Sequence, residues 1–266
     1  MSKTWSETYS VHTYELARHQ RASTRAICSY LIDTAGQHAH EIGFSIPQLM
    51  EQDRSWFFSR FLLRMDTYPE WRDRITVETW PKGSSKLLAL RDWRLYSGRQ
   101  LIGLATSGWL MVDIRKRRPL RPESYPEWKK FIHPEHAITH TFGRLPAIDD
   151  AGGATEAQRF RVRFSDVDIN GHANYLSYID WILEAVPASA RDRQQIAEME
   201  VHFLREASFG EGLESRARRI EDRTIHPIDR DACEALSGTQ FLHSLVREQD
   251  GEQLVRARTV WIPAAS

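Results

Sequence analysis

The fold of this chain is decided by one stretch, Asp168-Ile-Asn-Gly-His-Ala-Asn-Tyr-Leu-Ser-Tyr-Ile-Asp-Trp-Ile-Leu-Glu184. Asp166, Asp168, Asn170 and His172 stand at alternate positions, so in extended backbone their side chains would point the same way. Asn170-Gly171 is also a strong turn signal, and Asp and Asn favour turns and helix caps. The residues from Asn174 onward have helical period, which fits a simple hairpin poorly. Tyr175, Leu176, Tyr178, Ile179, Trp181, Ile182, Leu183 and Val186 leave only Ser177, Asp180 and Glu184 as a polar stripe. An outer helix would show a wide polar face. A helix over 174–186 is therefore predicted to be wrapped by sheet on most sides. Titratable groups and free backbone N–H groups then meet at the edge of a core.

The rest of the chain is consistent with a sheet able to do the wrapping. With 266 residues, there is room for one large domain or two of ordinary size. A hydrophobic content of 41% and 11% aromatics fit a globular protein with a real core, and nine Trp suggest broad apolar surfaces. The 36 basic and 36 acidic residues cancel, so no nucleic acid and no membrane surface is expected as partner. Cys28 and Cys233 have no CxxC spacing, which argues against a disulfide framework or a zinc site. His38-Ala-His-Glu41 directly follows a predicted helix stop and lacks further ligands nearby, so it is a poor metal site. No metal or other cofactor is expected. No signal-type N-terminus and no run of 18 apolar residues occur, which makes a cytoplasmic soluble protein the expectation.

Strands are predicted at 5–15, 56–65, 74–80, 87–96 and 101–112, with turns at Pro81-Lys-Gly83 and Ser97-Gly98. A helix over 21–36 has Ser23 or Thr24 as N-cap and Gly36 as stop. A shorter helix is predicted at 46–52. Arg115-Lys-Arg-Arg118 reads first as a solvated basic turn. Five prolines between 119 and 146 and the aperiodic Ala151-Gly-Gly-Ala-Thr mark a linker. The second half repeats the first: strand 160–164, helix 174–186, then strands at 199–204, 213–221, 232–248 and 254–262. Gly98-Arg-Gln-Leu-Ile-Gly-Leu-Ala-Thr also resembles Gly251-Glu-Gln-Leu-Val-Arg-Ala-Arg-Thr. The expected architecture is α+β, with two consecutive units that each wrap an antiparallel sheet around one helix. The first unit is placed at 1–145, the linker at 146–158 and the second unit at 159–266. The first helix, entered by Ala22-Ser-Thr-Arg25, has no Asp-x-Asn-x-His before it.

The stretch 168–184 closely resembles the D-x-N-x-H-x-N-N-x-x-Y-I-x-W-I-L-E segment of acyl-ACP thioesterases, plant plastid and bacterial enzymes that hydrolyse fatty acyl-acyl-carrier-protein. Val77-Glu-Thr-Trp80, Leu90-Arg-Asp-Trp93, Ala105-Thr-Ser-Gly-Trp109 and the 115–118 run are similar to that family's first domain. Phe203-Leu-Arg-Glu-Ala-Ser208 is similar to its Y-R-R-E-C segment. The resemblance implies a tandem double hotdog in which the first hotdog contributes mainly to the acyl pocket and the second carries the chemistry. It also implies that Asp168, Asn170, His172 and Glu206 are the catalytic residues and that Asp166, off the family register, is structural. Ala207 stands where many plant members have cysteine, so water rather than sulfur is the expected nucleophile.

On that reading, Glu206 or Asp168 activates water, Asn170 positions the water or thioester, and His172 hydrogen-bonds the substrate or shares the proton. Backbone N–H groups near His172 and Ala173 would polarise the carbonyl. The implied partner is an acidic acyl carrier protein, for which Arg115, Lys116, Arg117 and Arg118, with Lys129-Lys130, are candidate docking residues. A homodimer is possible. An acyl-CoA thioesterase, a hotdog dehydratase and a non-catalytic acyl-thioester-binding protein are the competing readings.

Overall fold

The computed structural model describes residues 3–148, 155–168, 171–225 and 236–264. It divides into two compact units, Met1–Thr141 and Phe142–Ser266. Asn170, Cys233 and residues 149–154 of the expected linker lie outside the described residues.

In the first unit, β1 (Trp5–Ser10) is followed by α1 (Thr24–Glu41), α2 (Ile46–Met50), β2 (Arg54–Met65), β3 (Arg74–Ser85), β4 (Leu88–Ser97), β5 (Gln100–Asp113), β6 (Arg118–Leu120) and α3 (Pro126–Lys129). The strands run antiparallel in the order β1-β3-β4-β5-β2, with β6 beside β5. Helix α1 buries Ile27, Cys28, Tyr30, Leu31, Ala35 and His38 on one stripe, and packs against β3 and β1. Ser23 caps it, accepting the Ala26 N–H at 3.1 Å.

Gly36 does not stop the helix. It faces solvent while Ala35 and His38 continue the buried stripe, and that packing outweighs the roughly 1 kcal/mol helix penalty of a glycine. The stop is Gly43, whose φ of 80° lets its own N–H reach His40 O and the Phe44 N–H reach Ala39 O. Pro81-Lys-Gly83 is likewise no turn. It sits inside β3 as a bulge opposite β4, and the chain reverses only at Lys86. The strand continues because Lys82 is needed inside: its ammonium pairs with Asp92 at 2.8 Å, both side chains almost fully buried. Asp92 also accepts the Ala137 N–H at 2.7 Å, and Lys82 donates to Ile138 O, so this pair fastens the segment after α3 over the sheet.

The second unit repeats the plan: β7 (Glu156–Arg161), α4 (Tyr175–Glu184), α5 (Ala188–Arg191), β8 (Gln194–Phe203), β9 (Gly212–Ile225), β10 (Leu236–Arg247) and β11 (Gln253–Pro263). The order β7-β9-β10-β11-β8 is the first unit's order again. Residues 156–158, expected as linker, already pair with β9 and belong to β7. Helix α4 buries Tyr178, Ile179, Trp181 and Ile182, each about 1.5–3 kcal/mol of hydrophobic stabilisation before entropy. Tyr175, Leu176 and Leu183 are only half-buried, so the helix is less enclosed than its composition suggests. Among the described residues no helix is long and apolar enough to cross a membrane.

Candidate active site at the entrance of helix α4

A single helical turn at Phe164–Asp166 leads into the polar stretch. Asp166 holds this turn from inside. Only 5% exposed, it accepts from the Arg163 N–H at 2.8 Å and from the Arg163 guanidinium at 3.1 Å, and its carbonyl accepts the Asn174 N–H at 2.7 Å. Asp166 is thereby a structural residue.

Beyond it the chain doubles back. The Asp168 N–H donates to His172 O at 2.9 Å, the Gly171 N–H to Asp168 O at 3.0 Å, and Val167 bridges to Ala173. Gly171 has φ of 82°, which the Asn170-Gly171 pair predicts. Asp168 is thereby tied back to Gly171 and His172, which the extended run suggested by alternation does not allow. The stretch opens directly into the helix through the Asn174 cap, whose side chain accepts the Leu176 N–H at 2.9 Å.

The turn presents His172 to the loop that leaves β8. Residue 172 bridges to Ser208, and His172 Nε2 lies 3.5 Å from Glu206 Oε2. Both side chains are open to solvent, at 41% and 50%. His172 Nδ1 has no hydrogen-bond partner among the described residues. Asp168 is half-buried on the same turn. Of the four residues expected to act together, the structure thus brings His172 beside Glu206 and puts Asp168 in the turn of His172, while Asn170 lies outside the described residues.

Of the backbone N–H groups near His172 and Ala173 expected to polarise a carbonyl, the expectation is corrected for the one at Ala173. The Ala173 N–H donates to Ala207 O at 2.8 Å and the Asn174 N–H to Asp166 O, so neither is available to polarise a substrate carbonyl. These donors are spent in joining the turn to the β8 loop and in closing the turn itself.

Two residues that the motif alone did not single out hold Glu206. The buried Tyr178 hydroxyl accepts the Ala207 N–H at 2.6 Å, and Arg247 Nη2 donates to Glu206 O at 3.0 Å. Burial, with the Glu206 charge nearby, pushes the Tyr178 hydroxyl above the usual phenol range and keeps it neutral. Arg247 is anchored in turn by Glu211, Asp250 and Glu252 at 3.0–3.2 Å.

The other singled-out residues stand elsewhere. Ala207 is wholly buried and Cys28 lies inside α1. His38 is a core residue of α1, with Nδ1 3.2 Å from Arg91 Nη1. Among the described residues no group of three or more His, Cys, Asp or Glu side chains is placed to hold a metal. Arg115 to Arg117 lie in the tip between β5 and β6, and Arg118 opens β6. Arg115 pairs with Asp53 at 2.8 Å, and Lys116 lies 3.8 Å from Asp113.

Comparison with known proteins gives this geometry a family. Residues 2–124 match the acyl-ACP thioesterase N-terminal domain and residues 150–263 its C-terminal domain. A chloroplastic palmitoyl-acyl carrier protein thioesterase of Arabidopsis thaliana is 29% identical over 269 residues, covering 96% of this chain and 63% of that protein. Its counterpart in Gossypium hirsutum is 26% identical over 273 residues, covering 97% of this chain and 64% of that protein. The chain spans under two thirds of the length of these curated relatives. The solved 12:0-ACP thioesterase of Umbellularia californica superposes with a TM-score of 0.84 at 22% identity, over 99% of this chain and 98% of that one, which gives the same tandem hotdog fold. With both family domains matched in order, the chain belongs to the acyl-ACP thioesterase family.

Proposed function

We propose that this chain hydrolyses fatty acyl-ACP thioesters to free fatty acid and ACP through a base-activated water. The observation that carries the reading is the pair His172–Glu206, 3.5 Å apart and solvent-accessible at the entrance of α4. The names of the plant relatives, acyl carrier protein thioesterases, support the substrate class. Glu206 takes a proton from water as its oxygen attacks the thioester carbonyl carbon, and the carbonyl electron pair moves to oxygen. Collapse of that intermediate breaks the C–S bond, and the leaving thiolate receives a proton returned through His172. Asn170 orients the water or the thioester. Asp168 is the alternative base, on the same turn. The alanine at 207 supplies no thiol, so sulfur is not the nucleophile in this scheme.

The test is a panel of acyl-ACP and acyl-CoA substrates of graded chain length, with Glu206→Gln and Asp168→Asn compared. Loss of the base is expected to lower kcat by about 10²–10⁴. Both variants near wild-type while folded would sink the proposed base. Faster turnover of CoA esters across the panel would assign the chain to acyl-CoA hydrolysis instead. Docking through Arg115, Lys116, Arg117 and Arg118 fits an acidic carrier. Arg117→Glu is then expected to raise KM for carrier-bound substrate only, and an unchanged KM removes the tip from the docking surface.

A further inference from the structure

Glu206 lies in an irregular segment. Strand β8 ends at Phe203, and residues 204–208 have no strand or helix of their own to fix them. A carboxylate on such a loop is positioned by what grips its backbone, and the grips are specific. Arg247 Nη2 donates to the carbonyl of Glu206 itself at 3.0 Å. The Tyr178 hydroxyl accepts the N–H of that same peptide, at Ala207, at 2.6 Å. The carbonyl of Ala207 accepts the Ala173 N–H at 2.8 Å, which joins the loop to the residue after His172. The side chain of Tyr178 comes from the first turn of α4, and its ring is packed edge-on against Trp181 and Phe203. The helix that begins at the His172 turn therefore also sets the height of the Glu206 loop.

We infer that Tyr178 and Arg247 are positioning residues that fix the Glu206 carboxylate against His172 by gripping the one peptide that follows it, Arg247 at its carbonyl and Tyr178 at its N–H. The inference rests on the reading of Glu206 and His172 as the reacting pair. The bonds from Tyr178 and Arg247 to this loop end on the backbone of residues 206 and 207, not on the two reacting side chains. A displacement of about 1 Å at a reacting group costs on the order of 10²-fold in rate, so a lost grip shows in turnover before it shows in the fold.

The experiment uses the full chain and the acyl thioester it turns over fastest. Tyr178→Phe removes the acceptor of the Ala207 N–H and keeps the packed ring. Arg247→Lys keeps the charge toward Glu211, Asp250 and Glu252 but gives up the planar fork that reaches Glu206 O. Each variant is expected to lower kcat by about 10- to 100-fold with KM within about twofold of wild-type. Each is also expected to move the limb of the pH–rate profile that Glu206→Gln abolishes. Arg247→Lys stands at the outer end of the network, so it serves should Tyr178→Phe fail to fold. A folded Tyr178→Phe and a folded Arg247→Lys that both keep wild-type kcat and pH profile would overturn the inference. Glu206→Gln separates this failure from that of the underlying reading: if Glu206→Gln is fully active, the reacting pair itself is wrong.

Discussion

The described residues of 162–174 repeat the backbone bonds of 11–23 with different chemistry. Ala17 N–H to Arg21 O, Gln20 N–H to Ala17 O and Ser23 N–H to Glu15 O, at 2.7–3.0 Å, repeat the Asp168–His172, Gly171–Asp168 and Asn174–Asp166 bonds. The Ala22 N–H reaches Pro69 O as the Ala173 N–H reaches Ala207 O, both at 2.8 Å. Glu15 caps its turn from inside as Asp166 does, accepting the His12 N–H at 2.7 Å. On this common backbone the first unit places Ala17 at the position of Asp168, Arg21 at that of His172 and Tyr68 at that of Glu206. Arg21 is engaged by Tyr68 O at 2.8 Å and by Glu70 at 3.0 Å, and a guanidinium does not exchange protons near neutral pH. The loop is thus a scaffold that closes the entrance of a hotdog helix, and a few side chains set the second copy, proposed to react, apart from the first.

The strongest break of this comparison would come from matched truncations. His172→Ala is expected to lower kcat by about 10²–10⁴, whereas Arg21→Ala leaves kcat within about twofold and costs only stability. Equal losses of turnover, measured on folded protein, would mean that the first loop shares in the chemistry.

A smaller difference lies deeper. Trp93 Nε1 donates to Leu31 O at 2.8 Å in the first unit. In the second, His243 Nδ1 takes the same place against Ile182 O at 3.0 Å, while Nε2 faces the Thr259 hydroxyl at 2.7 Å. Burial lowers His243 from 6.5 to about 4. The folded value lies below the unfolded one, so the neutral imidazole's contribution is complete above pH 6.5 and fades as pH falls toward 4. The loss is about 3 kcal/mol. Hydrogen exchange resolved by unit should show the second unit weakening first over that window. The same acid sensitivity in a His243→Gln variant would refute the assignment.

The smallest effect concerns the turn itself. Gly171 and Gln20 both have positive φ, 82° and 59°. Gly171→Ala should destabilise by about 1 kcal/mol and Gln20→Gly should be neutral or slightly stabilising in urea melts. Equal costs at both sites would show that the two turns are strained differently.

Much of this was legible in the sequence. The duplicated strand–helix–strands order and the apolar helix after Asn174 carried the fold, and the spacing from Asp168 to His172 pointed to the candidate site. Local signals failed where tertiary packing overrode them. Gly36 reads as a stop until the buried stripe through His38 is seen, and Pro81-Lys-Gly83 reads as a turn until Lys82 is found paired with Asp92. Tyr178 and Arg247 were hidden for another reason. They act on the backbone of residues 206 and 207, and a peptide group has no letter in the sequence. A signal existed for the loop pair: Val11, Glu15, Ala22 and Ser23 align with Val162, Asp166, Ala173 and Asn174 at one constant offset.

The buried peptide after Glu206 has a consequence for substitution at 207. At residue 207 the site uses an N–H and a carbonyl, each already bonded, while the side chain is a methyl group closed off from solvent. Exchanging that side chain for another small one removes neither main-chain bond. The attachment of this loop to Tyr178 and to Ala173 is therefore written in the backbone and is the same whether a methyl group or a thiol stands at 207.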